Sequence, residues 1–255
     1  MNAKFFLKNG YYIFNLDKKI ILELKKKLIK KIKKKTSIKI INLNTFHKFY
    51  SSNKINNLRL YLYRNINSDK NFLKLIYQSS KKIIEETVGN EIANSNANLS
   101  IQYPEDDNAI LDMHTDFFSG ESLFQANLWI PFVDVKKTKS MFIINPETSI
   151  KIIKQIKLSK KETFQKIIEK YKKQMKWLNV KFGQAIIFSP NCLHGNVTNR
   201  EKTTRWSINI RYKNLYSPYN RIYGNEKKIG TFYKIFSPKL MTKFNLKYNF
   251  NEFQK

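Results

Sequence analysis

Between about residues 91 and 213 the chain is a succession of short strand-like runs separated by turns. They are NANLSIQY (96–103), AILDMHT (109–115), SLFQANLWIPFV (122–133), SMFIIN (140–145), QAIIFS (184–189) and TRWSINIRY (204–212). Several strands at this spacing specify a sandwich or a barrel. A lysine-rich helix over roughly 160–177 interrupts the series. The region ahead of it has a different texture. GYYIFNL (10–16) reads as a strand, and Asp17 then fits the N-cap of an amphipathic helix through about Lys35, with Ile20, Ile21, Leu24, Leu28 and Ile32 as its buried stripe. SIKIIN (37–42) predicts a strand, and 54–66 and 69–88 predict two helices, the second closed by Gly89. The segment 213–255 is aromatic and basic, and it either extends over the core or closes over a site. No repeat or linker divides the chain, so 1–255 reads as one α+β domain with its core at about 91–213 and a C-terminal extension at 213–255.

The formal charge of +29 would ordinarily point to nucleic acid or another anionic surface. The basic residues are nearly all lysine, however, in a chain dense in Asn and Ile and poor in Gly and Pro. An AT-rich coding sequence produces that bias, so most of the lysines are read as a solvated surface. Cys192 is the single cysteine, which rules out an internal disulfide and suits a reducing compartment. The N-terminal apolar stretches are broken by Lys8, Asn9 and Gly10, and no run of about 18 apolar residues occurs. A cytoplasmic protein with neither leader nor membrane span is the expectation; the oligomeric state is open.

Against that background the rare residues carry information. There are three histidines, and two of them belong to one pattern: His114-Thr115-Asp116, then His194, then Arg205-Trp206-Ser207. Residues two apart on a strand point the same way, so His114 and Asp116 can reach one metal ion, with His194 supplied by a neighbouring strand mouth. Two imidazoles and a carboxylate on one face are the donor set of a non-haem Fe(II) site that leaves three positions open. Arg205 opens a run in which Arg205, Ser207, Asn209 and Arg211 share one face by the period of two. Such a row is costly to bury unless it lines a polar pocket, where Arg205 can grip a carboxylate with paired N–H donors and Ser207 can add a hydrogen bond. Arg211 is the rival for that carboxylate, or else meets a substrate anion. Gln102, Gln125 and Asn127 lie on strands near the histidine motif and could bond the co-substrate or the substrate; a buried amide satisfying backbone is the alternative for each. His47 reads as a surface or helix-edge histidine.

These words, in SIQYPEDDNAILDMHTDFFSGES, FQANLWIPFVDVKKTKSMFI, FGQAIIFSPNCLHGN and TTRWSINIRY, resemble the Fe(II)/2-oxoglutarate oxygenases, and among them the phytanoyl-CoA-hydroxylase-like members found in sporadic carbohydrate-biosynthesis clusters. The resemblance spans about 100–213. It implies a double-stranded β-helix (jelly-roll) core with the N-terminal helices packed on one sheet. It also implies iron on His114, Asp116 and His194, 2-oxoglutarate on Arg205 with Ser207, and O2 as oxidant. The reaction it implies is oxidative decarboxylation of 2-oxoglutarate to succinate and CO2, coupled to hydroxylation of a small molecule. An anionic or nucleotide-linked sugar of polysaccharide biosynthesis is the substrate it points to. Asp116 stands where the halogenase variant lacks a carboxylate. A nucleic-acid dealkylase of the same superfamily and a non-catalytic jelly-roll module that binds a glycan are the alternatives.

Overall fold

In the computed structural model, which describes residues 1–158, 164–220 and 227–248, the strand-like runs pair into two antiparallel sheets. The larger contains β1 (Tyr11–Asn15), β2 (Ile92–Ser95), β3 (Asn98–Gln102), β4 (Gln125–Pro131), β7 (Gln184–Phe188), β9 (Arg205–Asn214) and β10 (Tyr233–Ser237), ordered β1-β7-β4-β9-β2-β10. Strand β9 organises it. β4 runs along one side of β9, while β3 and β2 share the other, opposing Arg205 with Gln102 and Tyr212 with Asn94. In the smaller sheet β5 (Phe142–Ile143) lies between β6 (Lys176–Trp177) and β8 (His194–Gly195).

Period-two alternation divides β9 as its sequence dictates. Trp206, Ile208, Ile210 and Tyr212 turn to an apolar core with Leu128 and Ile130 of β4. The opposite face of that core comes from helices α3 (Ser52–Asn67) and α4 (Lys70–Val88), through Leu58, Leu62, Ile66, Phe72, Ile76 and Ile84, with α2 (Lys18–Thr36) laid across both. Each such side chain contributes about 1.5–3 kcal/mol by leaving water. Helix α2 starts where Asp17 accepts hydrogen bonds from the N–H groups of Lys19 and Ile20. It buries Ile21, Leu24, Leu28 and Ile32, while Ile20 is only half-buried. Lys31 of α2 pairs with Asp69, which itself caps α4 through the Phe72 N–H. The polar row Arg205, Ser207, Asn209, Arg211 is left on the other face of the sheet, away from the helices.

Three expectations change. Residues 37–42 form no strand, because Ile38 and Ile41 pack on the core from a loop while Ile40 is 86% exposed, so no face of the run is consistently apolar. The run 109–115 is not a strand either. Asp106 accepts from the N–H and side-chain amide of Asn108 and turns the chain, leaving His114 alone in a bridge. The helix expected over roughly 160–177 is shorter, and another helix precedes it. Here α5 (Pro146–Leu158) opens at Pro146, where Asn145 caps Thr148, and α6 (Phe164–Lys170) precedes a 3-10 turn and β6. Residues 159–163 lie outside the described residues. The extension joins the main sheet as β10 beside β2 and ends in α7 (Leu240–Tyr248), with 221–226 and 249–255 outside the described residues; α1 (Ala3–Asn9) precedes β1. No described helix is long and apolar enough to cross a membrane.

Candidate metal centre

The two histidines face each other across an antiparallel bridge. The His114 N–H donates to His194 O at 3.0 Å, and the His194 N–H returns the bond to His114 O at 2.9 Å. Directly opposed residues send their side chains to the same side, and the imidazole centroids are 4.3 Å apart. Thr115 is extended, so Asp116 follows His114 onto that side, and His114 Nε2 lies 3.6 Å from Asp116 Oδ1. Ligand atoms of His114, Asp116 and His194 all lie within 4.8 Å of one another. Each imidazole is oriented from behind: His114 Nδ1 bonds Asp112 O at 2.7 Å and His194 Nδ1 bonds Cys192 O at 2.9 Å. A carbonyl only accepts, so Nδ1 carries the proton and the Nε2 lone pair is left for a metal.

The Asp116 carboxylate is 2% exposed and receives three donors, Asn127 Nδ2, Arg211 Nη2 at 2.9 Å and Arg211 Nε at 3.3 Å. Burial works against its charge, but the bond with His114 and the charge of Arg211 hold its pKa well below the usual carboxylate value. Burial pushes His194 down to about 4 and keeps it neutral. At His114 burial also pulls downward, and the hydrogen bonds with Asp116 and the Asp112 carbonyl outweigh it, so its pKa is raised. The ionised Asp116 and the neutral His194 are thus ready donors, and His114 joins them where a metal ion takes the place of the proton that its raised pKa favours, a donor set that suits divalent first-row metals.

These donors line a cavity of about 190 Å³ together with Arg205, Asn209, Arg211, Trp129 and Phe188. Arg205 is 4% exposed; its Nη2 donates to Ser100 Oγ at 3.1 Å and its Nη1 to Ser140 O at 3.5 Å, while Nε has no partner. Burial pulls its pKa down to about 10, so it stays protonated at neutral pH. It forms no ion pair with a described residue. A buried, uncompensated cation is costly, and a carboxylate ligand would relieve it. The hydroxyls of Ser207 and Ser140, both fully buried, lack partners too. Arg205 lines the cavity whereas Ser207 and Ser140 do not, so it is the open Nε of Arg205 that fits a carboxylate such as one end of 2-oxoglutarate.

The other residues singled out from sequence take definite places. Gln102 sits opposite Arg205 and donates to Val197 O at 2.7 Å, with Oε1 open. Asn127 donates to Asp116, and Gln125 lies between Asn127 and the Tyr233 hydroxyl. Arg211 bridges Asp116 and a second carboxylate, Glu121. Glu121, Tyr233 and Lys227 were not picked out from sequence. Glu121 lies only five residues beyond Asp116, but Lys227 and Tyr233 lie 106 and 112 residues from it, and no spacing rule reaches that far.

Gly195, beside His194, allows the histidine strand to touch its neighbour. A Cβ there would lie 2.8 Å from Leu111 O and 3.1 Å from the Asp112 carbonyl carbon, both backbone atoms. Gly195→Ala is expected to push β8 away from 111–114 and pull the imidazoles apart. Metal affinity should fall by at least about tenfold, the scale of losing a ligand's support, while the distant helical core keeps its far-UV circular dichroism. A chelator-competition titration checks it.

No protein-family model matches the sequence, and no curated protein matches it either. Fold and site together describe a group of two histidines and one carboxylate on an antiparallel sheet that could hold one metal ion. Solved structures share the fold. EctD from S. alaskensis in its apoform matches with a TM-score of 0.60 at 12% identity, covering 94% of this chain and 87% of that one. EvdMO1 gives a TM-score of 0.55 at 15% identity over 82% of this chain, which spans about half (48%) of that longer protein. SnoK, a non-heme alpha-ketoglutarate-dependent carbocyclase from nogalamycin biosynthesis, gives 0.52 at 12% identity, covering 85% of this chain and 84% of that one.

Proposed function

We propose that the chain is an Fe(II)- and 2-oxoglutarate-dependent oxygenase with a double-stranded β-helix core. Its substrate in this reading is a small molecule, a sugar, nucleotide-linked sugar or related metabolite of polysaccharide biosynthesis. The observation that carries it is the unpaired guanidinium of Arg205 in the same cavity as His114, Asp116 and His194. EctD has also been solved with 2-oxoglutarate and 5-hydroxyectoine, and that likeness supports the same co-substrate here. When bound, iron and 2-oxoglutarate would supply the electrons that reduce O2 and so make it reactive toward a substrate C–H bond. The protein's share is positional. His114, Asp116 and His194 hold the metal, and Arg205 with Ser207 takes the distal carboxylate. Asn127 fixes the Asp116 carboxylate, and Trp129 and Phe188 wall the cavity against water.

Size supports a separate place for the substrate. The metal cavity of about 190 Å³ is smaller than ordinary ligand pockets of about 300–1,000 Å³, so the co-substrate leaves little room in it. A second cavity of about 530 Å³, between α3 and residues 106–111, shares Leu99, Ser100, Ala109 and Leu111 with the first. It carries Arg59 and Asp106, and no lysine among the described residues lines it, which favours a small polar substrate over a nucleic-acid strand.

The test is a thermal melt under anaerobic conditions. Fe(II) with 2-oxoglutarate at about 100 times its dissociation constant should stabilise the protein by about 2.7 kcal/mol, or roughly 5–11 °C for a chain of this size. His114→Ala should lose the shift. A wild-type protein whose melting temperature ignores both additives would refute the cofactor assignment.

A further inference from the structure

We infer that Glu121 sets the strength of the metal centre through Arg211, by drawing that guanidinium away from Asp116. The inference rests on the metal-binding reading above. Arg211 Nε stands 3.3 Å from Asp116 Oδ2 and 3.3 Å from Glu121 Oε1, so one cation is divided between two buried carboxylates. Only Asp116 of the two lines the metal cavity. The side-chain bonds and ion pairs of Arg211 go to these two acids alone among the described residues.

A metal ion arriving at Asp116 competes with Arg211 for the same oxygen lone pairs and is repelled by the guanidinium charge. Glu121 counters both effects, because it offers Arg211 an alternative acceptor and adds a negative charge in a region that excludes water. It is 2% exposed, and it is held in place by the Tyr233 hydroxyl on Oε2 and by Lys227 Nζ at 2.7 Å on Oε1. Both holders belong to the C-terminal extension. Lys227 thus works against Arg211 for Glu121: the more of the carboxylate Lys227 takes, the more of Arg211 falls to Asp116. Glu121 is a positioning residue that touches neither metal nor co-substrate, and the extension contributes to the active centre through it.

The opposite signs expected at Glu121 and Lys227 make the test sharp. Purified protein is titrated with Co(II) alone, in competition with a chelator, alongside thermal melts. Glu121→Gln should bind Co(II) about 10–100-fold more weakly than wild type, the usual scale for a group that supports a metal ligand. In an Arg211→Gln background the same change should alter affinity by less than about twofold, as for uncoupled sites. Lys227→Met, at a side chain 22% exposed, should bind Co(II) about two- to fivefold more tightly, the range one partly exposed ion pair supports. A network that merely braces the fold would lower melting temperatures and leave Co(II) affinity unchanged, or weaken it in Lys227→Met as well; either result overturns the inference. Should Glu121→Gln not fold, Lys227→Met decides alone, with unchanged or weaker binding as the overturning result. Wild-type protein that fails to bind Co(II), or a His114→Ala variant that binds as well as wild type, would remove the metal reading and this inference with it. Normal wild-type binding with an unaltered Glu121→Gln removes this inference only.

Discussion

Asp116→Asn is expected to lose metal binding and, in the metal-free protein, to lose about 3–5 kcal/mol of stability, the cost of removing one partner from a buried ion pair. The substitution keeps the shape and removes the charge. Asp116 receives Asn127 Nδ2 and two nitrogens of Arg211 in a space with almost no water. An amide has one acceptor oxygen, and its NH2 group would face donors. Arg211 would keep Glu121 as a counter-charge, which places the loss nearer the lower end. The pH dependence follows from the depressed pKa of Asp116. Its stabilising charge is fully present above the unfolded value of about 3.9 and disappears as the pH falls through the folded value. The difference in stability between wild type and Asp116→Asn should therefore be flat near neutrality and shrink below about pH 4. Urea melts at several pH values measure it, and a Co(II) titration measures the metal term. A variant that keeps wild-type Co(II) affinity would mean that the carboxylate is no ligand.

The parts of this site that sequence reveals are those governed by a short repeat. A period of two placed Arg205, Ser207, Asn209 and Arg211 on one face and Trp206, Ile208, Ile210 and Tyr212 on the other, and β9 divides in that way. Two-residue spacing put His114 and Asp116 on one side even though 109–115 is not a strand, because the extended conformation of Thr115 alone suffices. The stripe of α2 and its Asp17 cap are local in the same sense. What sequence hid is non-local or depends on turn chemistry. The helix start at Asn145-Pro146 depends on a single cap, Asn145 accepting from the Thr148 N–H, which the lysine content of the tract does not mark. At 37–42 three isoleucines imitate a strand, but no neighbouring strand edge receives them. The Glu121 cluster is assembled from residues 121, 125, 211, 227 and 233, and although Gln125 and Arg211 stand out on their strands, nothing local joins them to Glu121, Lys227 or Tyr233. Asn127 shows the limit from the other direction. Its strand and its nearness to the metal could be read, but its hydrogen bond to Asp116 requires the β4–β9 register that sets it opposite Arg211.

Arg205→Met should separate co-substrate binding from metal binding and from stability. Arg205 touches none of the three metal donors; its hydrogen bonds go to Ser100 and Ser140. Co(II) affinity should accordingly stay within about twofold of wild type. The 2-oxoglutarate affinity of the Co(II)-loaded protein should fall by about 2–5 kcal/mol, the cost of removing one partner of a buried charged pair, which is roughly 30- to 5,000-fold. The melting temperature of the ligand-free protein should hold or rise. In the absence of a carboxylate, Arg205 is a desolvated cation with an open Nε and no ion pair among the described residues, and a methionine of similar length removes that cost while filling the space. Against this stands the loss of two hydrogen bonds, each about 0.5–1.5 kcal/mol net, so the rise is small. The combination of weaker co-substrate binding with undiminished stability is hard to obtain from general damage. Arg211 supplies the contrast, since its charge is already met by Asp116 and Glu121 and it has less to offer an incoming diacid. Calorimetric titration of 2-oxoglutarate into both variants compares them directly. Wild-type affinity in Arg205→Met, with the loss appearing in Arg211→Met instead, would move the anchor six residues along β9 and require the co-substrate to lie the other way round in the cavity.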